Sequence, residues 1–136
     1  MKIVLDTNVF ISGIFFSGPP MQILQAWKAK KVRIVLSREI LDEYRRVGQE
    51  LAKKFPSVDI TPILELFTIH AEFVDTAGIS VTVSEDPDDN MFIECAMASQ
   101  CKLIVSGDRH LLNVSGFHDI SVLKPREFVD TCLKQP

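Results

Sequence analysis

The sequence predicts an α/β protein with a central parallel sheet. Short apolar runs suited to buried strands alternate with longer segments in which apolar residues recur at helical spacing, a pattern typical of strand–helix–strand units. Of the 136 residues, 46% are hydrophobic and 24% charged, which is ordinary for a soluble globular protein. No repeat, low-complexity tract or interior linker divides the chain, so we expect one domain over residues 1–136.

The first elements are two strands with a helix between them. "KIVLD" at residues 2–6 is predicted to be the first strand, and Thr7 and Asn8 are expected to form a turn after it. A helix is predicted from Pro19 to near Lys31, because proline suits the first helical position. "VRIVLS" at residues 32–37 is predicted to be the second strand.

Two helices are predicted in the middle of the chain. Ser37 is the expected N-cap of a long helix that runs to about Phe55, with apolar residues at helical spacing on one face. A second helix is predicted from Thr61 to Phe73. Residues 74–84 show no clear pattern and leave room for a short strand.

The last part of the chain is predicted to add two strands and two helices. Asp86 is the expected N-cap of a helix with Pro87 at its first position and "NMFIECAMAS" in its body. The remaining predicted elements are the strands "KLIVS" and "ISVL", at residues 102–106 and 120–123, and a short helix from about Pro125.

The composition indicates which cellular compartment and which binding partners to expect. No apolar stretch approaches the roughly 20 residues that span a bilayer, and no secretory signal follows Met1, so we expect a cytoplasmic protein. Cys95, Cys101 and Cys132 form neither an even disulfide set nor a CxxC pair, which fits a reducing compartment. The net charge of -3 gives no global attraction for nucleic acid, so binding it would need metal ions or a local basic patch. Candidate patches are Lys28, Lys30, Lys31 and Arg33, and Arg45 with Arg46.

Acidic residues stand where the predicted strands end. Asp6 and Asp108 each follow a strand directly, and ligands of open parallel sheets bind where the carboxyl ends of strands meet. Asp89 lies in the first turn of the helix before "KLIVS", and Glu43 lies in the first two turns of the helix after the second strand. All four can converge at one edge of the sheet.

Each acid also has an ordinary structural interpretation. Asp108 could be a turn residue, Asp89 could favour a helix dipole, and Glu43 could pair with Arg46 one turn further on. Asp6 is harder to explain in this way, because a carboxylate against a buried strand loses hydration and needs donors or a cation opposite it.

A divalent cation would offset the repulsion among four acids in one place. Converging carboxylates repel one another unless positive charge lies among them. Mg²⁺ takes carboxylate oxygens, keeps several waters and binds phosphate oxygens. Ions of this kind also activate water and polarise phosphodiesters, so the acids indicate metal-dependent phosphate chemistry.

Four segments resemble the PIN-domain family, especially its bacterial and archaeal branch of VapC-like toxins from toxin–antitoxin pairs. In chain order they are "VLDTNVFISG", "SREILDEYRRV", "DPDDNMFIECAMAS" and "LIVSGDRHLL", and the resemblance covers nearly the whole chain. It implies a three-layer α/β/α sandwich and an endoribonuclease that uses Mg²⁺ or Mn²⁺ and leaves 3′-hydroxyl and 5′-phosphate ends. It also implies an RNA substrate, a protein antitoxin and a homodimer, with no membrane association.

The same resemblance assigns roles to individual residues. The metal-binding, catalytic acids would be Asp6, Glu43, Asp89 and Asp108. Asn8 would position Asp6 through hydrogen bonds, and Ser106 occupies the place where the family usually has Thr or Ser before the last acid. Helical spacing does not separate Asp88 from Asp89 as the third acid. Arg109 and His110 are candidates for phosphate contact, although solvated surface charge explains them too.

Other classes fit the sequence less well. Aspartyl-phosphate phosphatases place a second Asp two residues after the first, where this chain has Asn8, and no receiver-domain, P-loop or GxGxxG pattern is present. His70, His110 and His118 show no zinc-ligand spacing with one another or with the cysteines. The main alternative is a non-catalytic PIN scaffold that binds protein or RNA, and the presence of all four acids argues against it.

Overall fold

The computed structural model describes residues 1–134 and contains a five-stranded parallel sheet with helices packed against it. The strand order is β3–β2–β1–β4–β5, and every pairing is parallel. The strands are β1 (Lys2–Leu5), β2 (Arg33–Leu36), β3 (Glu72–Phe73), β4 (Leu103–Val105) and β5 (Ser121–Leu123). The predicted α/β/α sandwich with a central parallel sheet is confirmed.

The described residues also contain seven α-helices and three short helical turns. The α-helices are α1 (Thr7–Phe15), α2 (Pro19–Lys28), α3 (Arg38–Ala52), α4 (Thr61–His70), α5 (Asn90–Ser99), α6 (Arg109–Leu112) and α7 (Pro125–Phe128). The helical turns are Pro87–Asp89, Phe117–Asp119 and Val129–Leu133. Within this part of the chain, no helix has both the length and the apolar character that crossing a membrane requires.

The register of the central strands places residues that are far apart in the sequence opposite one another. β1 pairs with β2 on one side and with β4 on the other, where Leu5 lies opposite Val105. The residues after these strands, Asp6 and Ser106, are therefore neighbours, and the Asp6 N–H donates to the Val105 carbonyl at 3.1 Å. β2 and β3 lie on one side of β1, and β4 and β5 lie on the other. The strand order therefore reverses between β1 and β4, and open parallel sheets bind ligands at such a switch point.

Four aromatic side chains tie the helices on one face to the sheet. Phe10 stacks on Tyr44 with ring centroids 4.1 Å apart and meets Phe67 edge-on at 4.7 Å, while Trp27 stacks on Phe67 at 4.2 Å. The Tyr44 hydroxyl donates to the Leu5 carbonyl at 2.5 Å. These contacts join α1, α2, α3 and α4 and fix the end of β1, directly before Asp6.

The first helix differs from the sequence prediction. A turn was expected at Thr7 and Asn8, but Asp6 is the N-cap and α1 begins at Thr7. Val9, Phe10 and Ile11 are all buried, so α1 has apolar residues on most of its sides. An apolar run without a polar face carries no helical period, which is why the sequence pattern did not reveal it.

The boundary after α4 also differs. The helix ends at His70 instead of Phe73, because Ala71 is extended and Glu72 and Phe73 pair with β2. Glu72 forms ion pairs with Lys2 at 3.1 Å and with Arg33 at 2.5 Å. Residues 74–84 contain no strand, so the short strand lies just before the segment for which it was considered.

Candidate metal centre at the carboxyl edge of the sheet

Asp6 is buried directly after β1 and is surrounded by hydrogen-bond donors. Its Oδ1 accepts from the backbone N–H groups of Asn8 at 2.6 Å and Val9 at 3.2 Å, and its Oδ2 accepts from the hydroxyl of Ser106. Burial raises the pKa of Asp6, and the nearby Asp108 charge adds to this, while the hydrogen bonds from Ser106, Val9 and Asn8 oppose it. The helix cap therefore accounts for part of what faces Asp6.

Ser106 links Asp6 to Asp108. Its hydroxyl donates to Asp6 and accepts from the Asp108 N–H at 2.9 Å. Asp108 in turn caps α6, since its Oδ1 accepts from the His110 N–H at 2.9 Å. Two acids from opposite ends of the chain are thus held by one buried hydroxyl group.

Three carboxylates lie close together near the carboxyl ends of β1 and β4. Asp86, Asp89 and Asp108 each bring an oxygen within 4.8 Å of the others. Asp86 caps the turn Pro87–Asp89 by accepting from the Asp88 N–H at 3.0 Å, as predicted. The structure therefore places Asp86 beside the predicted acids, although from the sequence we expect it only to cap a helix.

Asp89 shows the clearest sign of a missing partner. Its side chain is 7% exposed, and its buried Oδ2 has no hydrogen-bond partner among the described residues. Burial, together with the neighbouring carboxylates of Asp108, Asp86 and Asp6, raises the pKa of Asp89 to about 7. A buried carboxylate oxygen without a donor, among other carboxylates, has the surroundings that a hard divalent cation would complete.

Glu43 lies in the same pocket but has other partners. The hydroxyl of Thr7 donates to its Oε2, and Arg46 lies 3.4 Å from its Oε1. The pocket has a volume of about 190 Å³. Its lining residues are Asp6, Thr7, Asn8, Glu43, Val47, Asp86, Asp88, Asp89, Phe92 and Asp108. All four predicted acids thus line one pocket, but Asp6 and Glu43 do not belong to the tight group of three.

The geometry distinguishes Asp89 from Asp88. Asp89 is buried and close to Asp86 and Asp108, whereas Asp88 is exposed at the rim of the pocket. Asn8 contributes a hydrogen bond to Asp6 from its backbone N–H.

The predicted phosphate contacts and basic patches lie less close to the acids. Arg109 is exposed in α6, and His110 Nδ1 lies 3.3 Å from Glu85 Oε2; neither lines the acidic pocket. Lys28, Lys30 and Arg33 line a separate cavity of about 640 Å³ at the amino end of β2, away from the carboxyl edge of the sheet. Arg46 is the basic residue of these patches that contacts the site, through Glu43.

The fold and the pocket together define the class of protein, an α/β/α protein whose acidic pocket at the carboxyl edge has the donors for a divalent cation. The chain belongs to the PIN-domain family, because a PIN domain model matches residues 2–110. This range includes every acid that lines the pocket.

Two individual proteins are similar to the chain. It is 30% identical over 143 aligned positions to the uncharacterized protein MJ1680 of Methanocaldococcus jannaschii, an alignment that covers 96% of this chain and 90% of the relative. The crystal structure of FitAcB from Neisseria gonorrhoeae matches with a TM-score of 0.53 at 18% identity, covering 91% of this chain and 98% of the other. The second similarity supports the fold alone.

Proposed function

We propose that this protein is an endoribonuclease that hydrolyses RNA phosphodiester bonds with the help of Mg²⁺ or Mn²⁺. The observation that carries the proposal is the buried, unpartnered Asp89 Oδ2 beside the carboxylates of Asp86 and Asp108. Membership of the PIN-domain family supports the same function, since the resemblance of the four motifs implies nuclease activity.

The donor set suits such an ion. The residues that would hold it are Asp6, Glu43, Asp89 and Asp108, the set that the motifs imply, and all four line the pocket. Carboxylate oxygens are the preferred ligands of Mg²⁺ and Mn²⁺. When bound, the ion supplies Lewis-acid activation of water and neutralises charge on the reacting phosphate.

The chain's own residues orient these acids. The amides of Asn8 and Val9 and the hydroxyl of Ser106 hold Asp6 in one position, while Ser106 and the His110 N–H hold Asp108. Fixed acceptors of this kind reduce the reorganisation that the reaction needs. We include Arg109 and His110 as phosphate contacts, which requires His110 to leave Glu85.

The proposal extends to the biological setting implied by the resemblance. The protein would act in the cytoplasm as the toxin component of a toxin–antitoxin pair and as a homodimer. Ile63, Leu64 and Phe67 of α4 are buried in the core and are not available for such contacts. Ile69, which is 70% exposed at the end of α4, is a better candidate for a partner surface.

The experiment is cleavage of an end-labelled, structured RNA by the wild type and by Asp6→Asn, with Mn²⁺, with Mg²⁺ and with EDTA. Asp42→Asn is a matched control, because Asp42 is exposed on α3 and its side chain pairs with Arg45 at 3.4 Å. We expect metal-dependent cleavage by the wild type and Asp42→Asn and its loss in Asp6→Asn. Equal cleavage by all three would indicate a contaminant. No cleavage and no Mn²⁺ binding would favour the non-catalytic scaffold.

A further inference from the structure

We propose that Asp86 is a direct ligand of the divalent cation, in addition to its role as a helix cap. The inference rests on the proposed metal site, and it adds a residue to the ligand set that the motifs imply. Asp86, Asp89 and Asp108 form the group whose oxygens lie within 4.8 Å of one another. These oxygens are close enough together for one ion to be shared by all three residues.

The hydrogen bonds of Asp86 leave an oxygen available. Its Oδ1 accepts from the Asp88 N–H at 3.0 Å, and this capping bond fixes the direction of the carboxylate. No hydrogen bond to Oδ2 is present among residues 1–134. A carboxylate can cap through one oxygen and bind a cation through the other, so the two roles are compatible.

Asp89 provides the independent evidence that something binds between these acids. Its Oδ2 is buried without a donor, and a buried acceptor left unsatisfied is costly unless a partner is supplied. None of the three acids forms an ion pair with a lysine, arginine or histidine among the described residues. No side-chain cation among these residues therefore offsets the charge of the group, and a bound divalent cation would do so.

Glu43 has less freedom to join the same ion. Its two oxygens are engaged by the Thr7 hydroxyl and by Arg46, and it is not part of the group of three. Three carboxylates supply half of an octahedral set, which leaves positions for water and for phosphate oxygens. The geometry thus groups Asp86 with Asp89 and Asp108, and Glu43 remains a further ligand that the motifs imply.

The test measures Mn²⁺ binding to the full chain by calorimetry and by electron paramagnetic resonance. Two variants, Asp86→Asn and Asp86→Ser, retain a side chain that can cap the turn, which guards against a folding defect. Asp88→Asn is the matched control, because it removes the same charge two residues away from an exposed position. Thermal unfolding in EDTA checks that all variants are folded.

We expect both Asp86 variants to bind Mn²⁺ at least about tenfold more weakly, with one more water on the bound ion, and Asp88→Asn to stay within about threefold of wild type. Equal losses in Asp86→Asn and Asp88→Asn, or wild-type affinity in both Asp86 variants, would overturn the inference. If the wild type binds Mn²⁺ but cleaves no RNA, the proposed function fails while the Asp86 comparison still decides this inference. A wild type that binds no Mn²⁺ would overturn both.

Discussion

The hydroxyl of Ser106 donates a hydrogen bond to the buried carboxylate of Asp6, joining two residues that are 100 positions apart in the chain. The contact exists because β1 and β4 end level with each other, with Leu5 opposite Val105. The same hydroxyl accepts from the Asp108 N–H. The positions of Asp6 and Asp108, two of the proposed metal ligands, therefore depend through Ser106 on the register of β1 and β4.

We expect Ser106→Ala to weaken both the fold and the site. The change leaves a buried Asp6 oxygen without its donor, which should cost about 1–3 kcal/mol of unfolding free energy. It should also raise the pKa of Asp6 further, because the Ser106 hydrogen bond favours the ionised form. Urea unfolding in EDTA and a Mn²⁺ titration at pH 7 measure the two effects.

Ser99→Ala is the matched control for this substitution. Ser99 is also buried, but its hydroxyl donates to the Cys95 and Ala96 carbonyls of its own helix. We expect its loss to leave Mn²⁺ affinity unchanged, and Ser106→Thr, which keeps the hydroxyl, to restore most of the affinity. Equal Mn²⁺ affinity in Ser106→Ala and wild type would show that the hydroxyl does not position Asp6 for metal binding.

The metal-free protein should become less stable as the pH rises through neutrality. The pKa of Asp89 is raised from 3.8 to about 7, so the folded state holds this proton more tightly than the unfolded state does. Stability from this group is therefore complete below 3.8 and is lost as the pH rises to about 7 and beyond. In EDTA at pH 8, Asp89→Asn should melt at least about 3 °C above wild type, and the difference should shrink as the pH falls towards 5.

Bound Mn²⁺ should reverse the order of the melting temperatures of wild type and Asp89→Asn at pH 8. Mn²⁺ binds the deprotonated site, so it should raise the melting temperature of the wild type at pH 8 and leave Asp89→Asn unchanged. Asp88→Asn serves as the control, since Asp88 is exposed and outside the group of three. Parallel melting curves for wild type and Asp89→Asn across pH 5–8 would contradict the assignment.

The chain's single tyrosine should stay un-ionised while the protein is folded. Burial raises the pKa of Tyr44 well above its ordinary value of 10.0, and nearby acidic groups add to this. An acid with a raised folded-state pKa favours unfolding once the pH passes its unfolded value, so stability falls above pH 10. Absorbance at 295 nm should therefore rise together with the loss of circular dichroism, whereas protein in guanidinium should titrate near pH 10. A rise in absorbance before unfolding would contradict the prediction.

The parts of the fold that the sequence predicted share one property, a regular apolar pattern. β1, β2, β4 and β5 appear as short apolar runs, and α3 shows clear helical spacing. α1 was missed because burial on most sides removes its polar face. β3 was missed because its two residues are a strand only by pairing with β2. Such an element depends on tertiary contacts that local sequence does not record.

The site was predictable in its residue types and less so in its grouping. The acids at strand ends and the order of the motifs predicted that Asp6, Glu43, Asp89 and Asp108 lie close together, and all four line one pocket. The proximity of Asp86 to Asp108 depends on how the segment before α5 packs against β4. Asp86 also satisfies the pattern of a helix cap, so its second possible role had no separate signal in the sequence.

Gly13 of α1 lies directly against α2, and we expect Gly13→Ala to destabilise the protein. A Cβ atom there would lie 2.6 Å from Leu24 Cδ1 and 2.8 Å from the Pro20 carbonyl oxygen. Alanine normally favours a helix over glycine by up to about 1 kcal/mol, but a backbone oxygen cannot move aside as a side chain can, so the net cost should be about 1–3 kcal/mol. Gly107→Ala is the control, because a Cβ there meets nothing within 4 Å. Urea unfolding in EDTA compares the two, and a Gly13→Ala protein as stable as wild type would show that the helices can separate without cost.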